Sequence, residues 1–265
     1  YINYKLMNLL TISLILLVVV LIVLVVVFCF LKDSFKDENN YTLSDKFDAY
    51  YINLKRRPDK NKNTLVELDK SNLLKNKMKR FEAIDGKDID LTNYLAPGIS
   101  NKLLEKRRGW IGCALSHMEL WQRCISMNKP ILVFEDDNVI KEKVNYDKHL
   151  ETIINNFPND FDIVYLVTDN IVNYKPYNDL FVKAKSNNSI LSAYFISPNG
   201  AQKLLDSIMP YKPYLQIDWY INRLTHNKKI NCYIYRKSIM YTIQDFNTTD
   251  IQGKTNYVKK FEKNY

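Results

Sequence analysis

The sequence predicts an α/β domain around a mostly parallel sheet, set behind an N-terminal transmembrane helix. Two observations predict it. Short apolar, β-rich runs alternate with amphipathic helical stretches from Asp48 onward. Before them, Leu9 to Leu31 reads LLTISLILLVVVLIVLVVVFCFL, with no charge and nothing more polar than Thr11 and Ser13. At about 1.5 Å per residue, that run reaches across a hydrocarbon core of about 30 Å. Its exit (Phe28, Cys29, Phe30, Leu31, Lys32) lacks the small residues of a cleavage site, so the run is expected to be an uncleaved signal anchor. Lys5 before the span and Lys32 and Lys36 after it do not set an orientation.

Residues 1–31 are therefore assigned to the anchor, 32–47 (polar and aperiodic) to a stem, and 48–265 to one globular domain. DAYYINL (Asp48–Leu54) is a strand, and Pro58 suits the first turn of the helix after it. MKRFEAI (Met78–Ile84) is a second strand, stopped by Asp85-Gly86. Gly109–Lys129 is the clearest helix, with Ile111, Ala114, Leu115, Met118, Trp121 and Ile125 on one stripe. Pro130 opens a strand that ends in Glu135, Asp136 and Asp137. A helix over Tyr146–Phe157 follows, then strands over Phe161–Val167 and Ser189–Ser197. Helices begin at Pro198 and near Gln216, and Ile230–Arg236 reads as a strand.

The chain carries a formal charge of +9, but its lysines are scattered among Asp and Asn with no basic stripe, which argues against nucleic acid as a partner. Cys29, Cys113, Cys124 and Cys232 have no zinc-type spacing, and no Cys/His set is expected to compete for a softer metal. Asn40, Asn187 and Asn247 head N-x-Ser/Thr sequons.

The chemistry centres on ILVFEDDNVI (Ile131–Ile140). Ligands of open α/β sheets bind beyond the carboxyl ends of strands, where Glu135, Asp136 and Asp137 stand. Three adjacent carboxylates repel, and a hard divalent cation, Mn²⁺ or Mg²⁺, would relieve them and leave open positions for substrate phosphates. The competing reading is a solvated surface turn.

Seven stretches in order resemble glycosyltransferase family 25, the lipooligosaccharide and procollagen galactosyltransferases. They are YYINLKRRPDKN, RFEAIDGKDI, IGCALSHMELW, ILVFEDDNVI, AYFISPNGAQKLL, QIDWYI and QDFNTTDIQ. The resemblance implies a GT-A fold, a Rossmann-like nucleotide-sugar-binding domain. It also implies metal-dependent transfer of galactose or glucose from a UDP-sugar, with inversion, to a glycan, lipid-linked glycan, lipooligosaccharide or hydroxylysine acceptor. Asp137 becomes the first metal ligand, assisted by Glu135 or Asp136. Asp218 becomes the candidate base, against the alternative of a helix N-cap. Asn53, Arg56, Arg57, Asp85, Gly86, Ser116, His117, Glu135, Asp136 and Asp250 become donor-site candidates. Of these, Arg56 and Arg57 could be surface cations, His117 a structural histidine and Asp250 a loop residue. Trp110, Trp219 and Tyr220 could stack on sugars or simply pack. The implied protein is a single-pass membrane protein with its catalytic domain after the span. The alternative is an inactive GT-A-like glycan-binding or assembly module.

Overall fold

The computed structural model describes residues 20, 21, 23, 43–167, 173–186, 190–237, 239–245 and 258–261. The chain divides into two units, Tyr1–Asp45 and Lys46–Tyr265. In the first, Val20, Leu21 and Val23 are helical and exposed. The anchor expectation otherwise falls outside the described residues, among which no helix is long and apolar enough to cross a membrane.

The second unit is built on an eight-stranded sheet, ordered β2–β1–β3–β8–β5–β9–β7–β6. Its strands are β1 (Asp48–Asn53), β2 (Met78–Glu82), β3 (Ile131–Glu135), β5 (Ile163–Tyr165), β6 (Asn173–Pro176), β7 (Phe181–Ser186), β8 (Ala193–Ile196) and β9 (Cys232–Tyr235). β4 (Asn138–Ile140) belongs to a second, antiparallel sheet with β10 (Met240–Asp245) and β11 (Val258–Phe261). Strands β1, β3, β8 and β9 are wholly or almost wholly buried along their length, which is why they read as continuous apolar runs rather than alternating ones.

The large sheet is mixed rather than mostly parallel. β1 runs parallel to β2 and β3, and β5 to β9, but β8 enters antiparallel between β3 and β5. A parallel return needs a crossover of a dozen or more residues, usually a helix. Between β5 and β8 the described residues hold only the β6–β7 hairpin, so the chain comes back in the opposite sense.

Helices α1 (Pro58–Leu68), α4 (Arg108–Met127), α5 (Tyr146–Asn155), α6 (Pro198–Ile208) and α7 (Ile217–His226) match the periodic segments. The short α3 (Asn101–Lys106) is one of the short helical pieces expected between Lys87 and Arg108, whereas α2 (Asn72–Lys77) was not expected as a separate helix. Ser71 caps α2 by accepting from the Leu74 amide, and Ser197 caps α6 by accepting from the Gly200 amide. α4 ends at Asn128, whose left-handed φ of 49° terminates the helix. Its buried surface is wider than one stripe: Ser116, His117, Leu120 and Cys124 join Ile111, Ala114, Met118 and Trp121 inside. The helix packs against α3, α6 and α7 as well as the β2 exit loop, so polar residues on its flanks are enclosed.

That enclosure depends on two glycines. A Cβ on Gly112 would stand 2.5 Å from the Ile84 carbonyl oxygen and 2.8 Å from the Gly86 amide. A Cβ on Gly86 would stand 2.1 Å from the Arg108 carbonyl oxygen. Both obstacles are backbone, which cannot rotate away. Gly112→Ala is expected to destabilise the domain by about 1–3 kcal/mol, the range for overpacking a filled interior, as measured by urea denaturation.

Candidate active site at the carboxyl ends of β1 and β3

β1 and β3 are parallel and in register, with Ile52 opposite Glu135, so their carboxyl ends deliver side chains to one edge. Asn53 is the last residue of β1 and Glu135 the last of β3. Asp136 and Asp137 form the turn into β4.

That turn is braced by a buried network. The Asn138 amide donates to the Glu135 carbonyl at 2.9 Å and to the Ser192 carbonyl at 2.6 Å. Thr242 on β10 donates to Asn138 Oδ1 at 3.0 Å, and Ser192 completes the set with a 2.6 Å contact to the Thr242 hydroxyl. The three carboxylates thus stand on a rigid support.

They do three different things. Asp136 points to α1: it accepts from Asn53 Nδ2 at 2.7 Å and from Lys60 Nζ at 3.1 Å. Burial lifts its carboxyl above the usual range, and Lys60 and Asn53 pull against that. Burial opposes the Lys60 charge too, yet Asp136 and Asp137 outweigh it and raise that ammonium. Glu135 faces α4, where its Oε1 lies 3.2 Å from His117 Nε2 and 4.0 Å from Cys113 Sγ. Asp137 has a buried Oδ1 with no hydrogen-bond donor among the described residues. Burial, then the charge of Glu135, hold its carboxyl well above the ordinary 3.8.

His117 is 1% exposed, and one neutral tautomer satisfies all its partners. Trp121 Nε1–H can only donate, and it donates to the Tyr194 hydroxyl at 3.0 Å. The Tyr194 proton then points to His117 Nδ1, at 2.9 Å, leaving Nε2–H to donate to Glu135. Tyr194→Phe strands the Trp121 donor and the Nδ1 acceptor inside the protein. It is expected to cost about 1–3 kcal/mol in urea denaturation, the penalty of unsatisfied buried groups.

Asp218 lies in the first turn of α7, one residue inside; the N-cap is Gln216, so the capping alternative does not hold. Burial first, then the charges of Glu135, Asp218 and Asp137, push the Cys113 thiol well up.

The remaining candidates make the following contacts. Arg56 Nε donates to Asp85 at 2.5 Å, tying together the loops that leave β1 and β2 at this edge. Burial of the Asp85 carboxyl is outweighed by Arg56 and the Lys87 amide, so it sits below its usual range. Arg57 pairs with its neighbour Asp59. Asn53 spends its side chain on Asp136, the Arg57 carbonyl and Arg80, and so orients other groups. Gly86 acts through close packing. Ser116, wholly buried, accepts from the Ile84 amide and donates to the Gly112 carbonyl, which fastens the β2 exit loop to α4. Trp110 lies against the Arg107 guanidinium, Tyr220 stacks edge-on with Tyr211, and Trp219 is exposed. Asp250 lies outside the described residues.

A buried carboxylate oxygen without a donor, beside further carboxylates, suits a divalent cation. Cys113, His117 and Glu135 bring their ligand atoms within 4.8 Å of one another, a grouping that the cysteine spacing did not reveal. The i, i+4 spacing of Cys113 and His117 was visible, but their partner is supplied by a distant strand. Lys60, Tyr194, Asn138, Ser192 and Thr242 were also missed. Nothing local in the sequence marks them, because each works through the fold.

A family model described as Glycosyltransferase family 25 (LPS biosynthesis protein) matches residues 47–221. The procollagen lysyl hydroxylase and glycosyltransferase of Acanthamoeba polyphaga mimivirus is 28% identical over 251 residues, covering 82% of this chain and 27% of that protein. Human (Homo sapiens) procollagen galactosyltransferase 2 is 28% identical over 191 residues, covering 66% of this chain and 29% of that protein. A probable inactive glycosyltransferase 25 family member 3 of Bos taurus is 26% identical over 194 residues, covering 66% of this chain and 31% of that protein. The chain spans less than a third of the length of each of these relatives.

Proposed function

The chain belongs to glycosyltransferase family 25, and from that premise we propose that it is a membrane-anchored hexosyltransferase of GT-A type. It takes the hexose from a UDP-sugar to an acceptor hydroxyl with inversion. Relatives named procollagen galactosyltransferases favour galactose over glucose and a protein hydroxyl over a glycan or lipid-linked one. The observation that carries the reading is the acidic turn Glu135–Asp137 at the carboxyl edge of β1 and β3, with Asp137 Oδ1 buried and without a donor among the described residues.

Asp137 and Glu135 are the residues to hold a divalent cation, Mn²⁺ or Mg²⁺. When bound, the cation supplies positive charge against the diphosphate leaving group. Asp136, engaged by Asn53 and Lys60, shapes the turn rather than ligating. Arg56 and Arg57, on the loop leaving β1, are the cations that would meet the donor's phosphates, exchanging their pairing with Asp85 and Asp59 for it. Asp218 takes the proton from the acceptor hydroxyl as its oxygen bonds to the anomeric carbon. The bond from that carbon to the UDP oxygen breaks on the opposite face, and UDP leaves with the electron pair. Residues 9–31 hold the enzyme in a membrane.

The test is UDP release by the full-length chain in detergent from UDP-galactose and UDP-glucose, with Mn²⁺ and with chelator. Turnover of one donor that needs the cation supports the reading. A folded protein that binds neither donor with Mn²⁺ present sinks it and promotes an inactive, glycan-binding module.

A further inference from the structure

We infer that Cys113 Sγ, His117 Nε2 and Glu135 Oε1 form a site for a thiophilic divalent cation, Zn²⁺, separate in chemistry from a hard-cation site at Asp137. Cys113 and His117 stand four residues apart on α4 and share a face, and β3 ends opposite them in Glu135. The three ligand atoms lie within 4.8 Å of one another. With Zn–S near 2.3 Å and Zn–N and Zn–O near 2.0 Å, tetrahedral donor–donor edges are about 3.3–3.6 Å. The His117–Glu135 edge is 3.2 Å, already at that length. The Cys113–Glu135 edge is 4.0 Å and no edge exceeds 4.8 Å, so the sulfur needs to move inward by about 0.5–1.3 Å.

Thiolate, imidazole and carboxylate together select Zn²⁺ over Mg²⁺ or Mn²⁺, and three protein ligands leave a fourth position open. Tyr194 already holds the ring by its other nitrogen, and once the ring exchanges tautomers that nitrogen donates to it, as in metal-bound histidines. A second observation points to the same place. Asp137, two residues on from Glu135, carries a buried oxygen with no donor among the described residues, while Lys60, the lysine paired to this turn, is spent on Asp136. A dication offsets what the side chains leave uncompensated.

Loading balances as follows. The Cys113 thiol gives its proton to solvent. His117 moves its single proton from Nε2 to Nδ1, which now donates to the Tyr194 oxygen, and the cation takes the place of the Nε2 proton. One proton is released per ion. Glu135 is then shared between two sites. On the transfer reading above, which this consequence alone rests on, Zn²⁺ at Cys113 competes with the catalytic cation and slows the enzyme.

The test is titration of the full-length chain in detergent with Co²⁺ alone, then Zn²⁺ or Mg²⁺ as competitor. Expected are a thiolate-to-cobalt charge-transfer band saturating at one ion per chain, displacement by Zn²⁺ but not Mg²⁺, and loss of the band in Cys113→Ser. Tyr194→Phe should weaken binding about 10–100-fold, the usual effect of removing a metal-bound histidine's partner. Absence of the band in wild-type protein whose circular dichroism reports a folded domain overturns the site. So does a band that persists in Cys113→Ser. The titration contains no nucleotide sugar. Its failure leaves the transferase reading standing, and a failed transfer assay leaves the cation site standing.

Discussion

Asp137→Asn is expected to abolish cation-dependent UDP release, lowering turnover by at least about 10²-fold, while the fold becomes no less stable. Its carboxyl occupies a buried place beside Glu135, with one oxygen that finds no donor among the described residues. An amide there keeps the shape and removes a charge that the folded protein must otherwise hold against its neighbours. The pH dependence has a definite sign. Burial, then Glu135, raise this carboxyl above its ordinary 3.8 in the folded state. Below 3.8 it is protonated in both folded and unfolded chains and costs nothing. Between 3.8 and the raised value the folded chain holds the proton more tightly than the unfolded one, so stability falls as pH rises. Melting in chelator from about pH 4 to about pH 8 should therefore decline more steeply for wild type than for Asp137→Asn. Parallel curves would show that the carboxylate is not under the strain its surroundings imply.

Asp218→Asn is expected to act on the other half of the reaction. Loss of a positioned base lowers kcat by about 10²–10⁴-fold, whereas donor KM should change little because the amide keeps its shape. Steady-state kinetics with donor and acceptor varied in turn separate the two effects. A large rise in donor KM with kcat preserved would make Asp218 a binding residue and leave the base to be sought elsewhere at this edge.

Much of the scaffold was legible before any coordinates. Strands β1, β3, β8 and β9 are buried and rich in β-branched and aromatic residues, and α4, α6 and α7 carry clear apolar periodicity. What was hidden is what depends on pairing partners. β4 has three residues and finds β10 across a hundred residues of chain, and the reversal of β8 follows the β6–β7 hairpin, which the sequence reading did not identify. The site divides the same way. Glu135, Asp137 and Asp218 announce themselves by charge at element ends. The Trp121–Tyr194–His117–Glu135 chain does not, since α4, β8 and β3 meet only in the fold. Ser116 and Gly86 look like ligand-binding residues in a motif, yet one spends its hydroxyl and the other its missing side chain on keeping a loop against a helix.

The pairing of β4 with β10 carries a consequence for the order in which the protein matures on the ribosome. Glu135, Asp136 and Asp137 emerge early, but the strand that clamps the turn, and the Thr242 hydroxyl that locks Asn138, emerge about a hundred residues later. A chain halted after His226 would own every candidate carboxylate from Glu135 to Asp218 and the Ser192 brace, yet lack the Thr242 lock on Asn138 and the strand beside β4. The last support of the acidic turn is therefore set late in synthesis, by a segment that contributes no candidate acid or base of its own among the described residues.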